Sequence, residues 1–201
     1  MGITSVILGA IVAMTQSAEP ALPSVAIVPV VNVSSEKWAE LKTAVTERAQ
    51  TTLEEQLSYR KVKVTPKLEV EAACKELQLD FSDEEFWTRA NLSSVGQKVG
   101  ADYVAFVVVL RQQQRVKTNF FTSAPEGEVE IKFWVLNIKE NKPIFSAKTA
   151  SEKARPHSFL GVAKGSDQQK TAADRAVTNA LKDFYNLFEL TEEGKKKVKK
   201  P

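Results

Sequence analysis

Val95–Val116, VGQKVGADYVAFVVVLRQQQRV, opens as a short helical stretch, breaks at Gly100 and continues as an almost wholly apolar run. A glycine at the end of a helical pattern is the residue that takes the left-handed conformation closing a helix. The strand that follows, Asp102–Leu110, carries YVAFVVVL without alternation, and such a run suits only the middle of a sheet covered on both faces. Gly-Ala-Asp-Tyr is therefore a helix-to-strand hinge, and the fold around it is α/β.

Upstream, Ser24–Val33 (SVAIVPVVNV) is another apolar run rich in branched residues, with Pro29 marking an end or a bulge. Ser34 and Ser35 offer a helix cap, after which Trp38, Leu41, Val45, Ala49, Leu53 and Leu57 recur every three or four residues on one face. RKVKVTP alternates outward lysines with inward Val62 and Val64 and is closed by Pro66. Lys67–Val99 reads as two helical pieces broken at Asp80–Asp83, with Ser82 and Glu85 spaced as a capping box. On the first piece Leu68, Ala72 and Leu77 or Leu79 define the apolar face, beside which Cys74 reads as a small buried hydrophobe.

Downstream come QQQRVKTNFF, a turn expected at TSAPEG, the alternating EVEIKFWVLNI, a turn at KENK, and PIFSAKTASEK. Val129, Ile131, Phe133 and Val135 share one face, and the three runs read as an antiparallel meander. After the polar loop ARPHSFLGVAKGS, Ser166 and Gln169 cap a last helix whose apolar face is Ala173, Val177, Ala180, Leu181, Phe184 and Phe188. The expected fold is a single two-layer α/β sandwich: a mixed sheet ending in an antiparallel meander, with helices packed on it.

The order of elements, with VAIVPVVN, VGQKVGADYVAF and VEIKFWVLNIKENKPIFSA, resembles the CsgG-like and TolB amino-terminal-like domains of the bacterial envelope, related in fold to the penicillin-binding-protein activator LpoB. Val25–Asn32 match the first strand of that pattern, Val99–Val104 the hinge, and Trp134–Phe145 the meander. The likeness spans roughly Ser24–Phe188. Where the pattern often has Gly after the hinge strand and Asp and Gly at the meander turn, this chain has valines, Asn137 and Asn141. The resemblance implies the domain, not the CsgG channel or the TolB propeller.

Composition sets further bounds. The chain has 201 residues, 43% hydrophobic and 26% charged, enough to bury a core. Its formal charge of +3 is a property of the end: five lysines stand in KKKVKKP, and without them 23 basic residues face 25 acidic ones, or −2. Residues 191–201 read as a basic, disordered tail. The first eighteen residues carry no charged side chain, and Ile3–Met14 has the length of a signal-peptide core, too short to span a bilayer as a helix. Residues 1–18 are read as a signal peptide, with cleavage near Ser17 or Ala18, although no Lys or Arg precedes the apolar run. An uncleaved anchor and a buried element are the alternatives. Residues 19–190 then form the domain, exported to the periplasm or associated with the outer membrane.

Catalytic chemistry finds little support. A lone cysteine excludes an intramolecular disulfide, and the one histidine, His157, stands in a loop beside Arg155 and Ser158 with no orienting carboxylate in view. Asp83–Glu85 opens a helix, where negative charge is favoured, and Gly161–Ser166 (GVAKGS) lacks the spacing of a phosphate loop. No catalytic, cofactor-binding or metal-binding residue is assigned, and no cofactor is expected. Phe120 and Phe121 differ from the rest: neighbours on a strand point to opposite faces, so both cannot enter one core, and the pair is the candidate contact for a partner or a membrane. Replacing both with Ser should leave folding nearly intact while weakening association. The favoured function is a non-enzymatic exported domain that binds another envelope protein or its own copies, with no specific nucleic-acid partner. The alternatives are a hydrolase using His157 and a nucleic-acid binder using the lysine tail.

Overall fold

The computed structural model describes residues 21–119, 122–155 and 165–198. Strand β1 (Ser24–Ile27) stops just before Pro29, and the chain resumes as β2 (Val31–Asn32), so the proline does mark a break. Helix α1 (Ala39–Ser58) follows, then β3 (Lys63–Val64), α2 (Lys67–Glu76), a 3-10 turn at Glu84–Phe86, and α3 (Arg89–Lys98). Strands β4 (Tyr103–Asn119), β5 (Thr122–Asn137) and β6 (Lys142–Ala154) form the meander, and α4 (Gly165–Ala180), α5 (Lys182–Tyr185) and α6 (Glu192–Val198) complete the chain.

The sheet runs β3-β1-β4-β5-β6, with β2 added beside β4. Strands β3, β1, β2 and β4 are mutually parallel where they pair, whereas β4-β5-β6 is antiparallel. The architecture is thus α/β with a mixed open sheet and packed helices, as the sequence indicates. Helices occupy both faces, so the layers number three and not the two expected, because β4 and β5 are apolar on both sides and each side needs cover. On one, Val45, Ala49, Leu53 and Leu57 of α1 and Ala173, Val177 and Leu181 near α4 meet Val25, Ile27, Val107, Ile131 and Phe133. On the other, Val70 and Cys74 of α2 and Leu92 and Val95 of α3 meet Ala26, Val28, Phe106 and Trp134. Period-two alternation along β5 sends its side chains into one core and the other in turn.

The hinge has the expected form. Gly100 adopts φ +65°, the Ala101 amide donates to the Gly96 carbonyl at 2.9 Å, and the chain passes into β4. Asp102 explains the third residue of Gly-Ala-Asp-Tyr. Its Oδ2 accepts from the Ser24 amide (2.8 Å) and hydroxyl (3.0 Å), and its Oδ1 pairs with Lys139 at 2.6 Å. One side chain therefore ties β1, the start of β4 and the β5–β6 turn together.

Several local expectations are corrected. TSAPEG is not a turn: Thr122–Gly127 lies within β5, paired with β4 from Asn119↔Thr122 onward. Among the described residues β6 pairs with β5 only as far as Gly127↔Ala154, so no described strand pairs with Pro125 on its outer flank. Helix α1 starts at Ala39 without a side-chain cap; the Ser34 hydroxyl donates to Asn32 Oδ1 instead, and Trp38 is 74% exposed. The capping box at Ser82 does not form: Asp83 accepts from the Glu85 amide, and Thr88 caps α3 through the Asn91 amide. The buried face of α2 is Val70, Ala73 and Cys74, while Leu68 stands in solvent. At the start of α4, Gln169 is fully buried and its Oε1 accepts from Gln112 Nε2 at 3.4 Å.

Residues 192–198 form helix α6 where the sequence reading expected a disordered end. The Thr191 amide donates to the Tyr59 carbonyl at 2.8 Å, and Lys197 Nζ lies 4.7 Å from the Tyr59 ring centre, so local contacts hold the segment to the body. Among the described residues no helix is long and apolar enough to cross a membrane.

A charged ladder on the distal sheet as candidate interaction surface

Among the described residues the meander outruns its helices on one face. Near the hinge that face is aromatic core: Phe106 stacks on Trp134 at 5.3 Å and meets Phe81 and Trp87 at 5.1 and 6.2 Å. The boundary is Lys132, whose Nζ lies 5.7 and 5.3 Å from the Trp87 and Trp134 rings and 3.6 Å from Glu84. Beyond it the same face carries charge.

Period two and register build the ladder. On β5 Glu126, Glu128 and Glu130 alternate with the buried Val129 and Ile131. A register shift between Val109 and Arg111 on β4 brings Arg111 opposite Glu130, Gln113 opposite Glu128 and Arg115 opposite Glu126. From the other side β6 supplies Ser151 against Glu130 and Lys153 against Glu128. Arg111 contacts Glu128 at 3.1 Å and Glu130 at 3.4 Å, Arg115 and Lys153 approach Glu128 Oε2 at 3.8 and 3.7 Å, and Arg155 donates to Glu126. Opposite charges directly across strands stabilise a sheet, so the ladder is also part of what aligns the hairpin.

The two charges differ in height. The Glu126 and Glu128 side chains are only 2% and 7% exposed, whereas the four cations are 44–57% exposed. Carboxylates form the floor and arginines with a lysine form the outer layer, so a partner meets guanidinium and ammonium groups first. Glu128 Oε2 has cations near it yet accepts no hydrogen bond. Past Val109, where its pairing with β2 ends, β4 has only β5 beside it among the described residues, which leaves a strand edge next to the ladder.

The residues singled out from sequence fall as follows. Phe120 and Phe121 lie outside the described residues; Asn119 and Thr122, which flank them, pair with each other at the far end of the ladder. His157 and the loop Gly161–Lys164 also lie outside. Cys74 is buried, as expected, and burial pushes its thiol above the usual range, which disfavours the nucleophilic thiolate. No group of three His, Cys, Asp or Glu among the described residues is arranged to hold a metal. The ladder itself was missed. Its signal was the spacing Glu126-x-Glu128-x-Glu130, but the misplaced turn at TSAPEG hid which basic residues stood opposite.

No family model matches the chain, and no curated protein does. Solved structures do. A hypothetical protein, CT253, from Chlamydia trachomatis is similar at a TM-score of 0.50 and 14% identity, over 83% of this chain and 97% of that one. Lipoprotein GNA1162 from Neisseria meningitidis is similar at 0.46 and 16%, over 82% and 99%, and the LpoB C-terminal domain from Salmonella enterica at 0.38 and 16%, over 70% and 87%. The first likeness shows the fold. A CsgG or TolB assignment is not shown by these structures.

Proposed function

We infer that this chain is a non-enzymatic domain of the bacterial cell envelope that works by binding another protein, or its own copies, through the distal half of the β4–β5–β6 sheet. The carrying observation is the ladder: a sheet face with no helix over it among the described residues, with Arg111, Arg115, Lys153 and Arg155 raised over a carboxylate floor and a strand edge alongside. Arginine-rich, partly desolvated faces suit protein recognition, because guanidinium groups make directed bonds to carboxylates and lie flat on aromatic rings. The partner surface it fits is acidic at its centre. Phe120 and Phe121, which follow Asn119 in sequence, supply apolar contact in this reading. The envelope placement rests on the charge-free first eighteen residues of the chain.

The test uses the full chain expressed in a bacterial host, with a photo-crosslinking residue at Gln113 on the ladder or at exposed Glu47 on α1. Intact mass in separated fractions should show a mature form starting near Ala18 or Glu19 outside the cytoplasm. A defined adduct should form from Gln113 and not from Glu47. An uncleaved chain confined to the cytoplasm, or equal crosslinking from both positions, overturns the reading.

A further inference from the structure

The parallel half of the sheet contains a second feature, distant in sequence from the ladder. From β1 the chain passes through β2 into α1 on one face of the sheet; from β3, the neighbour of β1, it turns into α2 on the opposite face. Adjacent parallel strands whose connections leave to opposite sides open a crevice at their carboxyl ends, and in open α/β sheets that crevice is where ligands lodge. Here it is a cavity of about 340 Å3 between α1 and the start of α2.

Its walls are chemically divided. Ile27 at the end of β1, Val64 at the end of β3 and Pro66 form an apolar side. Helix α2, ten residues long, begins there: its Glu69 and Val70 amides donate to the Pro66 carbonyl, while the amides of Lys67 and Leu68 precede the first intrahelical acceptor. Thr65 lines the cavity and is 8% exposed, and no hydrogen bond from the described residues reaches its hydroxyl. Its oxygen stays accessible at the cavity wall and can bond a group that enters. Lys67 adds a positive charge at the same wall, with its Nζ 3.7 Å from Glu71.

Across the cavity α1 presents the opposite sign. Gln50 is fixed by the Val30 amide, which donates to its Oε1 at 3.0 Å, and its Nε2 donates to Glu54 Oε1 at 2.6 Å. That bond holds the Glu54 carboxylate on the cavity wall. One end of the crevice thus favours an anion, the other a cation, and the ground between is apolar.

We propose that the crevice at the carboxyl ends of β1 and β3 binds a small zwitterion, an α-amino acid with an apolar side chain. Its carboxylate meets the start of α2 with the Thr65 hydroxyl and Lys67, its ammonium meets Glu54, and its side chain lies on Ile27, Val64 and Pro66. No bond is made or broken. This inference stands apart from the ladder, and either can fail without the other.

The experiment is an amide-resolved NMR titration of the full chain with L-leucine, N-acetyl-L-leucine and L-leucinamide, on the native protein and on Glu54→Gln. L-leucine should move the Thr65, Lys67 and Leu68 amides, and each analogue, lacking one charge, should bind about tenfold or more weakly. Glu54→Gln should weaken L-leucine by a similar factor and leave N-acetyl-L-leucine unchanged. Because the ligand series needs no altered protein, a folding defect in the variant would not spoil the test. The proposal is overturned if L-leucine moves none of these amides up to its solubility limit. Equal binding of N-acetyl-L-leucine would reduce the crevice to an anion site and overturn it too, and equal binding of L-leucinamide would remove the start of α2 from recognition with the same result.

Discussion

Asp102 shows how one side chain can serve three elements. Burial opposes its ionisation, but Lys139 and the Ser24 amide and hydroxyl outweigh that and hold the carboxyl below the usual aspartate range. A carboxyl whose folded value is depressed adds stability above its unfolded value, near pH 4, and loses it as pH falls through the lower folded value. Asp102→Asn should therefore cost about 1–3 kcal/mol near neutrality. Its urea midpoint should fall less than that of the native protein on acidification below about pH 4; parallel curves would show that the carboxylate contributes nothing pH-dependent. Tyr185 is the opposite case. Its hydroxyl is buried without a hydrogen-bond partner among the described residues, burial pushes its ionisation far up, and the Arg60 guanidinium packs 5.0 Å from the ring centre while Arg60 Nε donates to the Tyr185 carbonyl at 2.7 Å. Tyr185→Phe keeps the ring and the main-chain bond, so thermal unfolding should show it unchanged or up to about 1 kcal/mol more stable. A clear loss would mean that the hydroxyl is bonded after all.

Between elements, β5 meets α4 at close quarters. A Cβ on Gly127 would lie 2.3 Å from the Gln168 carbonyl carbon and 2.4 Å from the Gln169 nitrogen, both backbone atoms that move only with the helix. Gly127→Ala should cost about 3 kcal/mol by overpacking, and it should disturb Gln112 and Gln169, whose amides meet above the sheet. A melting temperature equal to that of the native protein would show that α4 sits farther off. The aromatic cluster on the other face predicts a comparable loss from the opposite cause: Phe106→Ala vacates a fully buried site among Phe81, Trp87 and Trp134 and should cost about 3–5 kcal/mol. Elements with long, strongly periodic patterns were legible in advance: α1, β4 up to Leu110, and the inward face of β5. Helix starts were less so, because Ser34 and Ser82 are good caps in isolation but the positions of α1 and α3 are set by packing, which left Trp38 and Thr88 at their first turns.

For the whole molecule, helices of the described residues cover both faces of the sheet around β1, whereas beyond Arg111 they cover only the α4 side, as far as Gly127. Hydrogen exchange should follow that division, with slow amides along Val104–Val109 and faster ones at the outward-facing positions of Gln113–Val116; uniform protection along β4 would show a cover over the distal half. Apolar periodicity alone determined the α/β class, the helix-to-strand hinge at Gly100 and the faces that form the core, because burial of apolar surface is the largest favourable term in folding and is written directly in residue order. Only the tertiary structure decided which charges meet. Glu126 and Glu128 find Arg115, Lys153 and Arg155 through a register set by the pairing of Asn119 with Thr122 and a shift at Val109. The crevice likewise joins Glu54 of α1 with Thr65 and Lys67 across the sheet. A shift of one residue exchanges the two faces of a strand, and no local pattern of charges specifies that register, so both candidate surfaces come into being only when the strands are paired.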